Sequence, residues 1–497
     1  MRVFRALRRN VPLKFDIFLL SFLVFSMCIS TGPFQSSNER SHYAITLALI
    51  EYGTLDITHH RPFFFHSFYF PDDLCYYTFY DLFKYPMYLP YYAWEDVSLY
   101  QGKYYSAEAP GIAFLAVPLH IVGRTFSNPF DKTTLTPAIT TLLSAFFAAL
   151  SVAIVYEISR LLGVGKKACT VASIAYAFGT PLWLYAATFF AHAASAFFIT
   201  LGYYFAMKFI ISANKNRRWL SASGLSLGYA GFVEYPNAIL LAPVFLYLLD
   251  SMPTIRETKK LLWFVAPACA GLLPIFLYNS LCFGSPLAFP ANYFMGFRDS
   301  FSLYEQFDNP LFIGLDGLLF SSSRGLFFHS PALLLSILGF APLFWRRRRE
   351  AILLISSFLL LLILYARFTV WHGGYAYGPR YLLAISFTLV VFLAAAVDHS
   401  RKSRVFVLIF LPLLGMSVLL SASAALTKNW DYPLFANALP MFLRGEFDCW
   451  PTSSINLLYL VSVGYLVYVI FRVRNHLVKS ARSFRAKLNE KQFKIFP

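Results

Sequence analysis

The sequence predicts an all-α polytopic membrane protein with about 12 transmembrane helices and external juxtamembrane helices. Of its 497 residues, 58% are hydrophobic and only 13% are charged, a composition too apolar for an ordinary soluble domain. The net charge of +17 falls in short basic clusters between long apolar runs. Such clusters are typical of membrane topology signals rather than of a basic polar domain, so we expect no nucleic acid partner.

Twelve apolar runs approach the roughly 17 to 25 residues that cross a bilayer core. They lie at residues 15–33, 137–159, 168–188, 190–211, 219–233, 236–250, 261–281, 326–345, 351–369, 381–397, 405–426 and 455–471. The first run follows the basic start MRVFRALRRN without a small-residue cleavage site, so we interpret it as a retained span. The runs at 219–233 and 236–250 are short, and the EYP sequence between them is typical of a tight reversal.

A thirteenth run, residues 109–126, is broken by Pro110, Gly111 and Pro118. The distribution of charged residues over the later loops indicates whether this run crosses the membrane. If this run does not cross, the later loops alternate under the positive-inside rule, with 30 of the 42 Lys and Arg residues on the cytoplasmic side. The external side then holds 18 of the 25 Asp and Glu residues. The sequence therefore predicts an external juxtamembrane helix at 109–126, and cytoplasmic N- and C-termini in a bacterial inner membrane.

This topology divides the chain into six predicted segments. They are a cytoplasmic N-terminus with the first transmembrane helix (1–33), a first external loop with juxtamembrane helices (34–136), transmembrane helices 2–7 (137–281), a second long external loop (282–325), transmembrane helices 8–12 (326–471) and a basic cytoplasmic tail (472–497).

Cysteine and histidine patterns give no recognised metal or disulfide framework. The six cysteines are scattered, and three of them fall in predicted external loops, which allows one bridge and leaves one thiol over: Cys75, Cys282 and Cys449. The first loop also holds enough ligands for a divalent metal ion, although solvated loop residues are the simpler interpretation: Asp56, His59, His60, His66, Asp72 and Asp73. A metal cofactor is therefore an open prediction.

Two carboxylates are the candidate catalytic residues. Glu39 follows the first predicted span, where a partly desolvated carboxylate can act as a general base toward an acceptor hydroxyl. The simpler interpretation is a charge at a helix start that matches the helix dipole. Glu108 precedes the juxtamembrane helix and is either a second catalytic or metal-binding acid or another helix-start charge.

Other polar residues are predicted at the outer ends of spans. Arg324 and Arg380 could each hold a phosphate through two hydrogen bonds, or could simply snorkel to the interface. His372 lies in the glycine-containing segment before Arg380. Four further candidates for substrate binding are predicted at the same face: His192, Glu234, Tyr278 and Asn279. Each alone is usually structural, but their convergence indicates a site.

Five local motifs resemble those of the GT-C superfamily of lipid-carrier-dependent glycosyltransferases, which includes the protein mannosyltransferases and the lipid A aminoarabinose transferase. NERSHY resembles the superfamily's acidic pair followed by a Tyr, and GKYYSAEAPG resembles its Tyr-rich segment before a surface helix. YNSLCFGSPLAF, SRGLFFHSP and WHGGYAYGPRYL resemble segments of its less characterised bacterial members. Asn38 stands where the superfamily often has Asp, and Glu108 stands where an acid–Lys pair is more usual.

The resemblance implies sugar transfer from a polyprenyl-phosphate donor to an acceptor outside the cell, with membrane lipids around the donor. It places Glu39 and Glu108 as catalytic acids and Arg324 and Arg380 as phosphate ligands, with inversion at the anomeric carbon. The acceptor, whether glycan, lipid or protein, is not identified. The alternative function is a transporter or flippase of lipid-linked sugars, although such proteins place ionisable residues near mid-membrane in repeated halves.

Overall fold

The structure is a computed structural model, and it describes residues 13–30, 34, 36–60, 96–126, 135–213, 215–252, 254–294, 305–374, 376–428 and 438–444. The N-terminal half contains α1 (Leu13–Met27), α2 (Ser37–Glu51), β1 (Val97–Tyr100), β2 (Lys103–Ser106), α3 (Gly111–Phe126), α4 (Leu135–Leu161), α5 (Lys166–Phe178), α6 (Leu182–Ala186), α7 (His192–Ile211), α8 (Arg217–Val233) and α9 (Leu241–Asp250). The C-terminal half contains α10 (Ile255–Thr258), α11 (Leu262–Phe283), α12 (Leu311–Phe320), α13 (Leu326–His329), α14 (Ile337–Arg346), α15 (Arg348–Arg367), α16 (Arg380–Leu383), α17 (Phe387–Ser400), α18 (Arg404–Thr427) and α19 (Ala438–Arg444). Short 3₁₀ turns are Thr58–His60, Tyr235–Leu240, Lys259–Leu261, Pro290–Tyr293, Glu305–Phe307 and Pro331–Ser336.

The apolar helices form a bundle whose closest contacts are made by small residues. Helices α8 and α11 pack so tightly that a Cβ on Gly224 would lie 2.0 Å from the carbonyl oxygen of Phe264, and one on Gly228 would lie 2.3 Å from that of Ala268. Membrane helices associate in this way because lipid gives no hydrophobic drive, so close backbone contact has to supply the attraction.

Eleven of the twelve predicted apolar runs fall on described helical segments, and five described helices are long and apolar enough to span a membrane. Four of these runs are not continuous α-helices: Gly179–Pro181 separates α5 from α6, the 3₁₀ turn Tyr235–Leu240 precedes α9, Pro331 begins a 3₁₀ turn between α13 and α14, and residues 384–386 separate α16 from α17. The predicted run at 455–471 and the tail from 472 lie outside the described residues, so the number of crossings stays a prediction.

Two elements were not expected. The loop predicted at 282–325 contains α12, whose Gly314 packs against the backbone of Ala366 on α15. The loop predicted at 34–136 with juxtamembrane helices contains α2 and α3 and, in addition, the antiparallel hairpin β1–β2.

Polar contacts between helix ends collect at two opposite ends of the bundle. At one end, Lys14 pairs with Glu157 at 3.4 Å, and Arg349 pairs with Asp250 at 2.8 Å. We call this end, defined by those two pairs, the basic pole. The other end, which we call the acidic pole, contains α2, the hairpin, α3 and the starts of α7 and α16. Residues predicted on one side of the membrane thus meet at one pole.

Helix α3 lies across the acidic pole. Gly111 at its start packs against the backbone of Phe232 at the end of α8, and Gly123 near its end packs against Thr136 at the start of α4. Both ends of α3 therefore contact the same end of the bundle, as expected of a helix that lies along the membrane surface rather than crossing it.

Candidate active site

Glu39 caps the N-terminus of α2. Its Oε1 accepts the backbone N–H of Phe189 at 2.8 Å, and its Oε2 accepts the backbone N–H of Ser36 at 3.3 Å. The Ser36 hydroxyl in turn accepts the N–H of Asn38 at 3.2 Å, which completes a capping box. Burial raises the pKa of Glu39, and the two N–H donors act in the opposite direction. Glu39 therefore ties α2 to the turn before α7, with both of its oxygens engaged by the backbone.

The β-hairpin sets the positions of two other acids. Its register pairs Val97 with Ser106, and Gln101 and Gly102 form the two-residue turn with φ values of 50° and 79°. Positive φ at both turn positions matches the twist of a tight hairpin. The carbonyl of Asp96 accepts the N–H of Ala107 at 3.0 Å, so Asp96 and Glu108 leave the open end of the hairpin side by side.

Helix α2 lies over this open end of the hairpin. The Ser37 hydroxyl donates to Oδ2 of Asp96 at 3.1 Å, and the Ser41 hydroxyl donates to the Asp96 carbonyl at 2.6 Å. The hydroxyls of Ser41 and Ser106 are 2.7 Å apart. These bonds bring Asn38, which lies between the two serines on α2, into hydrogen-bonding contact with both carboxyl groups.

Asp96 and Glu108 form a coupled acid pair. Both keep part of their surface open, yet burial raises the pKa of each. The pKa of Glu108 rises to about 8, first because of burial and then because of the negative charge of Asp96, while Arg380 acts in the opposite direction. A carboxyl group with such a pKa exchanges a proton near neutral pH, as general acid–base chemistry requires.

Arg380 is the cation that faces this acid pair. It begins α16, and its guanidinium lies 5.0 Å from the ring centre of Tyr381 and donates to the Tyr381 hydroxyl at 3.4 Å. The loop before it is built to pack on the guanidinium, because a Cβ on Gly373 would lie 2.7 Å from the Arg380 Nε. Gly373 also has φ of 71°, which side chains with a Cβ rarely adopt.

Arg324 holds the same loop from the other side. Its Nε donates to the carbonyl of His372 and its Nη2 to the carbonyl of Gly374, both at 2.6 Å, and its Nη1 donates to the carbonyl of Ser323 at 3.1 Å. Nδ1 of His372 accepts the N–H of Gly374 at 3.1 Å. Burial, with Arg324 and Arg380 adding to it, lowers the pKa of His372 to about 3, so its ring is neutral. Arg324 thus shapes the loop that carries His372.

His192 and Glu234 form a buried pair beside the acids. Nδ1 of His192, at the start of α7, lies 2.6 Å from Oε1 of Glu234, at the end of α8. Asn237 donates to Oε2 of Glu234 at 3.4 Å and to the Ser195 hydroxyl at 2.9 Å. The negative charge of Glu234 adds to the rise in the pKa of Glu108, which places the pair in the same electrostatic site.

Tyr278 and Asn279 support the site from the end of α11. The Tyr278 hydroxyl donates to the carbonyl of Ser106 at 3.5 Å. The Asn279 amide accepts from the Tyr235 hydroxyl at 3.2 Å and donates to the carbonyl of Pro286 at 3.3 Å. Both residues therefore fasten the hairpin and the neighbouring loop to the bundle rather than face the acid pair.

Comparisons with known proteins give the family context. A family model described as dolichyl-phosphate-mannose-protein mannosyltransferase matches residues 123–283. No curated protein sequence matches the chain. Among solved structures, ArnT from Cupriavidus metallidurans bound to undecaprenyl phosphate is similar over 83% of this chain and 65% of that chain, with 14% identity and a TM-score of 0.51. AglB from Archaeoglobus fulgidus, in complex with an inhibitory peptide and a dolichol-phosphate, is similar over 89% of this chain and 56% of that chain, with 14% identity and a TM-score of 0.45.

The chain has the GT-C fold. The fold implied by the sequence motifs is thus confirmed, and so is the fold class of a helical polytopic membrane protein. The chain spans 65% of the length of the ArnT structure that it matches. The family match begins at residue 123, so the residues of the acid pair lie outside it.

The described residues do not fit a metal site. Within the described ranges, no three His, Cys, Asp or Glu side chains converge on a volume that could hold a metal ion. Of the ligands predicted in the first loop, His60 lies 3.9 Å from Glu51, and Asp56 lies 3.8 Å from Lys103. The remaining candidates His66, Asp72 and Asp73, like Cys75 and Cys449, lie outside the described residues.

Asp96 is the site residue that sequence reasoning missed. It is one of many acids in the first loop, and no local motif marks it. The signal that could have found it is the segment VSLYQGKYYS, in which Gln-Gly separates two short aromatic segments and predicts a hairpin. Residues 96 and 108 flank this segment, so a hairpin places them together.

Proposed function

We propose that this chain is a membrane glycosyltransferase that moves a sugar from a polyprenyl-phosphate donor to an acceptor hydroxyl at the acidic pole. The GT-C fold and the mannosyltransferase family match support the reaction class. The ArnT structure with undecaprenyl phosphate supports a lipid carrier of this chemistry. The observation that carries the proposal is the Asp96–Glu108 pair with its raised pKa values beside Arg380, a base next to a cation for the leaving phosphate.

Glu108 is the proposed base. In the transfer step, the acceptor oxygen forms a bond to the anomeric carbon while the bond from that carbon to the phosphate oxygen breaks. The acceptor proton moves to Glu108, and the electron pair of the broken bond leaves with the polyprenyl phosphate. Attack from the face opposite the phosphate inverts the configuration. Asp96 keeps Glu108 basic through its charge, which is one of the causes of the raised pKa of Glu108.

Arg380 is the proposed phosphate ligand. It lies within the electrostatic reach of Glu108 and carries a charge that a departing phosphate would need. The neutral His372 ring adds a hydrogen-bond donor, because its Nδ1 accepts the N–H of Gly374 and the proton therefore sits on Nε2. We assign Arg324, whose guanidinium already donates to three carbonyls, to positioning this loop.

The proposed membrane orientation places the acidic pole outside the cell. The basic pole contains residues that the positive-inside rule assigns to the cytoplasm, among them Lys14 and Arg349. An external site is reached by acceptors of the cell envelope, whereas the donor lipid arrives through the bilayer. A bacterial inner membrane with both termini in the cytoplasm is part of this proposal.

The function is tested with the purified full chain reconstituted in lipid vesicles. Undecaprenyl-phosphate sugars are supplied with a cell-envelope extract as the source of acceptors, and the release of free undecaprenyl phosphate is measured. We expect the unmodified protein to release undecaprenyl phosphate. In Glu108→Gln the rate of this release should fall about 10²–10⁴-fold. The matched control Glu51→Gln changes an acid on α2 that pairs with Arg124 away from the site, and it should keep full activity. Movement of intact lipid-linked sugar across the bilayer without release would instead identify a transporter.

A further inference from the structure

Several buried polar atoms beside the acid pair have no hydrogen-bond partner within the part of the chain that the structure describes. They are Oδ1 of Asn38, Nδ1 and Nε2 of His42, Nε2 of His192 and Nε of Arg380. The residues Asn38, His42 and His192 are each at most 5% exposed. An unsatisfied buried polar atom costs about 1–3 kcal/mol, so a group of them in one place indicates a polar ligand.

These atoms belong to one neighbourhood. Asn38 and His42 are four residues apart on α2 and therefore lie on the same face of that helix. The charges of Glu234, His192 and Arg380 all act on His42, and Asn38 contacts both carboxyl groups of the acid pair. The residues that carry these unpartnered atoms therefore belong to one electrostatic neighbourhood that includes the acid pair.

The chemistry of these atoms selects the ligand. Burial lowers the pKa of His42 to about 3, so its neutral ring offers one donor and one acceptor. Nδ1 of His192 faces Oε1 of Glu234 at 2.6 Å, so Nε2 is the ring atom left without a partner among the described residues. Oδ1 of Asn38 is an acceptor. A phosphate, which presents mainly acceptors, would leave Asn38 Oδ1 and the acceptor nitrogen of His42 unpaired, whereas a hydroxyl both donates and accepts.

We infer that His42, Asn38 and His192 form a subsite that binds hydroxyl groups of the transferred sugar and so selects the donor. Glu234 is the positioning residue that fixes the orientation of the His192 ring, because its Oε1 lies 2.6 Å from Nδ1 of that ring. This inference rests on the proposed function, because it names the part of the substrate that the same site recognises. The subsite separates the recognition of the sugar from the recognition of its phosphate by Arg380.

The test compares binding of the carrier with and without its sugar. The full chain in vesicles is titrated with undecaprenyl phosphate and with undecaprenyl phosphate that carries mannose, glucose or galactose. We expect at least one sugar-bearing form to bind more tightly than the carrier alone. His42→Phe, which keeps a ring without its nitrogens, should reduce that preference about tenfold, in line with one or two lost hydrogen bonds, and His42→Gln should restore part of it.

The matched control is His120→Phe on α3. His120 is also buried with both ring nitrogens unpartnered among the described residues, but it packs against Tyr43 and stands apart from the acid pair. Its replacement should leave the sugar preference unchanged. Unchanged binding of undecaprenyl phosphate shows that each variant is folded.

The outcomes separate the inference from the function. If His42→Phe keeps the full preference for the sugar-bearing carrier, or the unmodified protein shows none while still catalysing transfer, the subsite is refuted and the proposed function stands. If the unmodified protein neither binds these carriers nor releases undecaprenyl phosphate, both the function and the subsite are refuted. A deoxy sugar that costs affinity in the unmodified protein but not in His42→Phe identifies the hydroxyl that His42 binds.

Discussion

The raised pKa of Glu108 predicts a specific dependence of sugar transfer on pH. The proposed base has to be ionised, and the pKa of Glu108 is about 8 instead of the ordinary 4.5. At pH 7 about a tenth of the free enzyme is then active, and at pH 6 about a hundredth, because each pH unit below the pKa lowers the ionised fraction about tenfold. We expect kcat/KM to rise about tenfold per unit up to pH 7 and to level off above about pH 8.5.

The assay is the release of undecaprenyl phosphate by the reconstituted full chain in overlapping buffers from about pH 5.5 to 9.5. Asp96→Asn removes a negative charge that raises the pKa of Glu108, so the rising limb should move to lower pH. Glu51→Gln, the control, should leave the profile in place. A profile that is already level at about pH 6, as for an ordinary carboxyl group, would refute the role of Glu108.

Three further predictions concern the phosphate ligand, its loop and the helix cap. Arg380→Gln should lower kcat/KM about 10–100-fold through KM for the donor, because a charge-assisted hydrogen bond to phosphate is worth about 1.5–3 kcal/mol; an unchanged KM would contradict this. Gly373→Ala places a Cβ 2.7 Å from the Arg380 Nε at φ of 71° and should reduce kcat/KM about tenfold, since left-handed backbone costs about 1–2 kcal/mol. Gly415→Ala, which meets nothing within 4 Å, is its control. Glu39→Gln weakens the capping box with Ser36 and should cost about 1 kcal/mol of stability in thermal unfolding while kcat stays near normal; a loss of kcat as large as that of Glu108→Gln would instead make Glu39 the base.

The helices of the bundle could be predicted from the sequence because hydrophobic length is a local property. The prediction lost accuracy where backbone chemistry interrupts an apolar run, as at Pro181 and Pro331. Helix α12 was missed because its ten residues are too few for a span, and its place is set by the contact of Gly314 with α15. Contacts of this kind between distant segments leave no periodic pattern in the sequence.

The site was harder to predict than the fold. Glu39 attracted attention by its position after the first span, although the Ser36-x-x-Glu39 spacing is itself the signature of a capping box. Asp96 could not be selected in the same way, because its partners are Ser37, 59 residues earlier, and Glu108, across the hairpin. Arg380 was predicted from its position just before a span, and the structure adds that Gly373 of the same motif packs against its Nε. Features set by neighbouring residues could therefore be predicted from the sequence. The pairing of Asp96 with Glu108 could not, because it depends on the register of the β-hairpin.

The shared position of Arg380 couples the two halves of the proposed reaction. In the resting site its charge lowers the pKa of Glu108 and so opposes the effect of Asp96. As the bond to the phosphate breaks, negative charge grows on the phosphate, and the field of Arg380 is increasingly neutralised by it. The charge of Arg380 then lowers the pKa of Glu108 less than before. The pKa of Glu108 therefore rises as the acceptor proton is transferred to it. A single cation can thus link departure of the carrier to activation of the acceptor without any movement of the backbone.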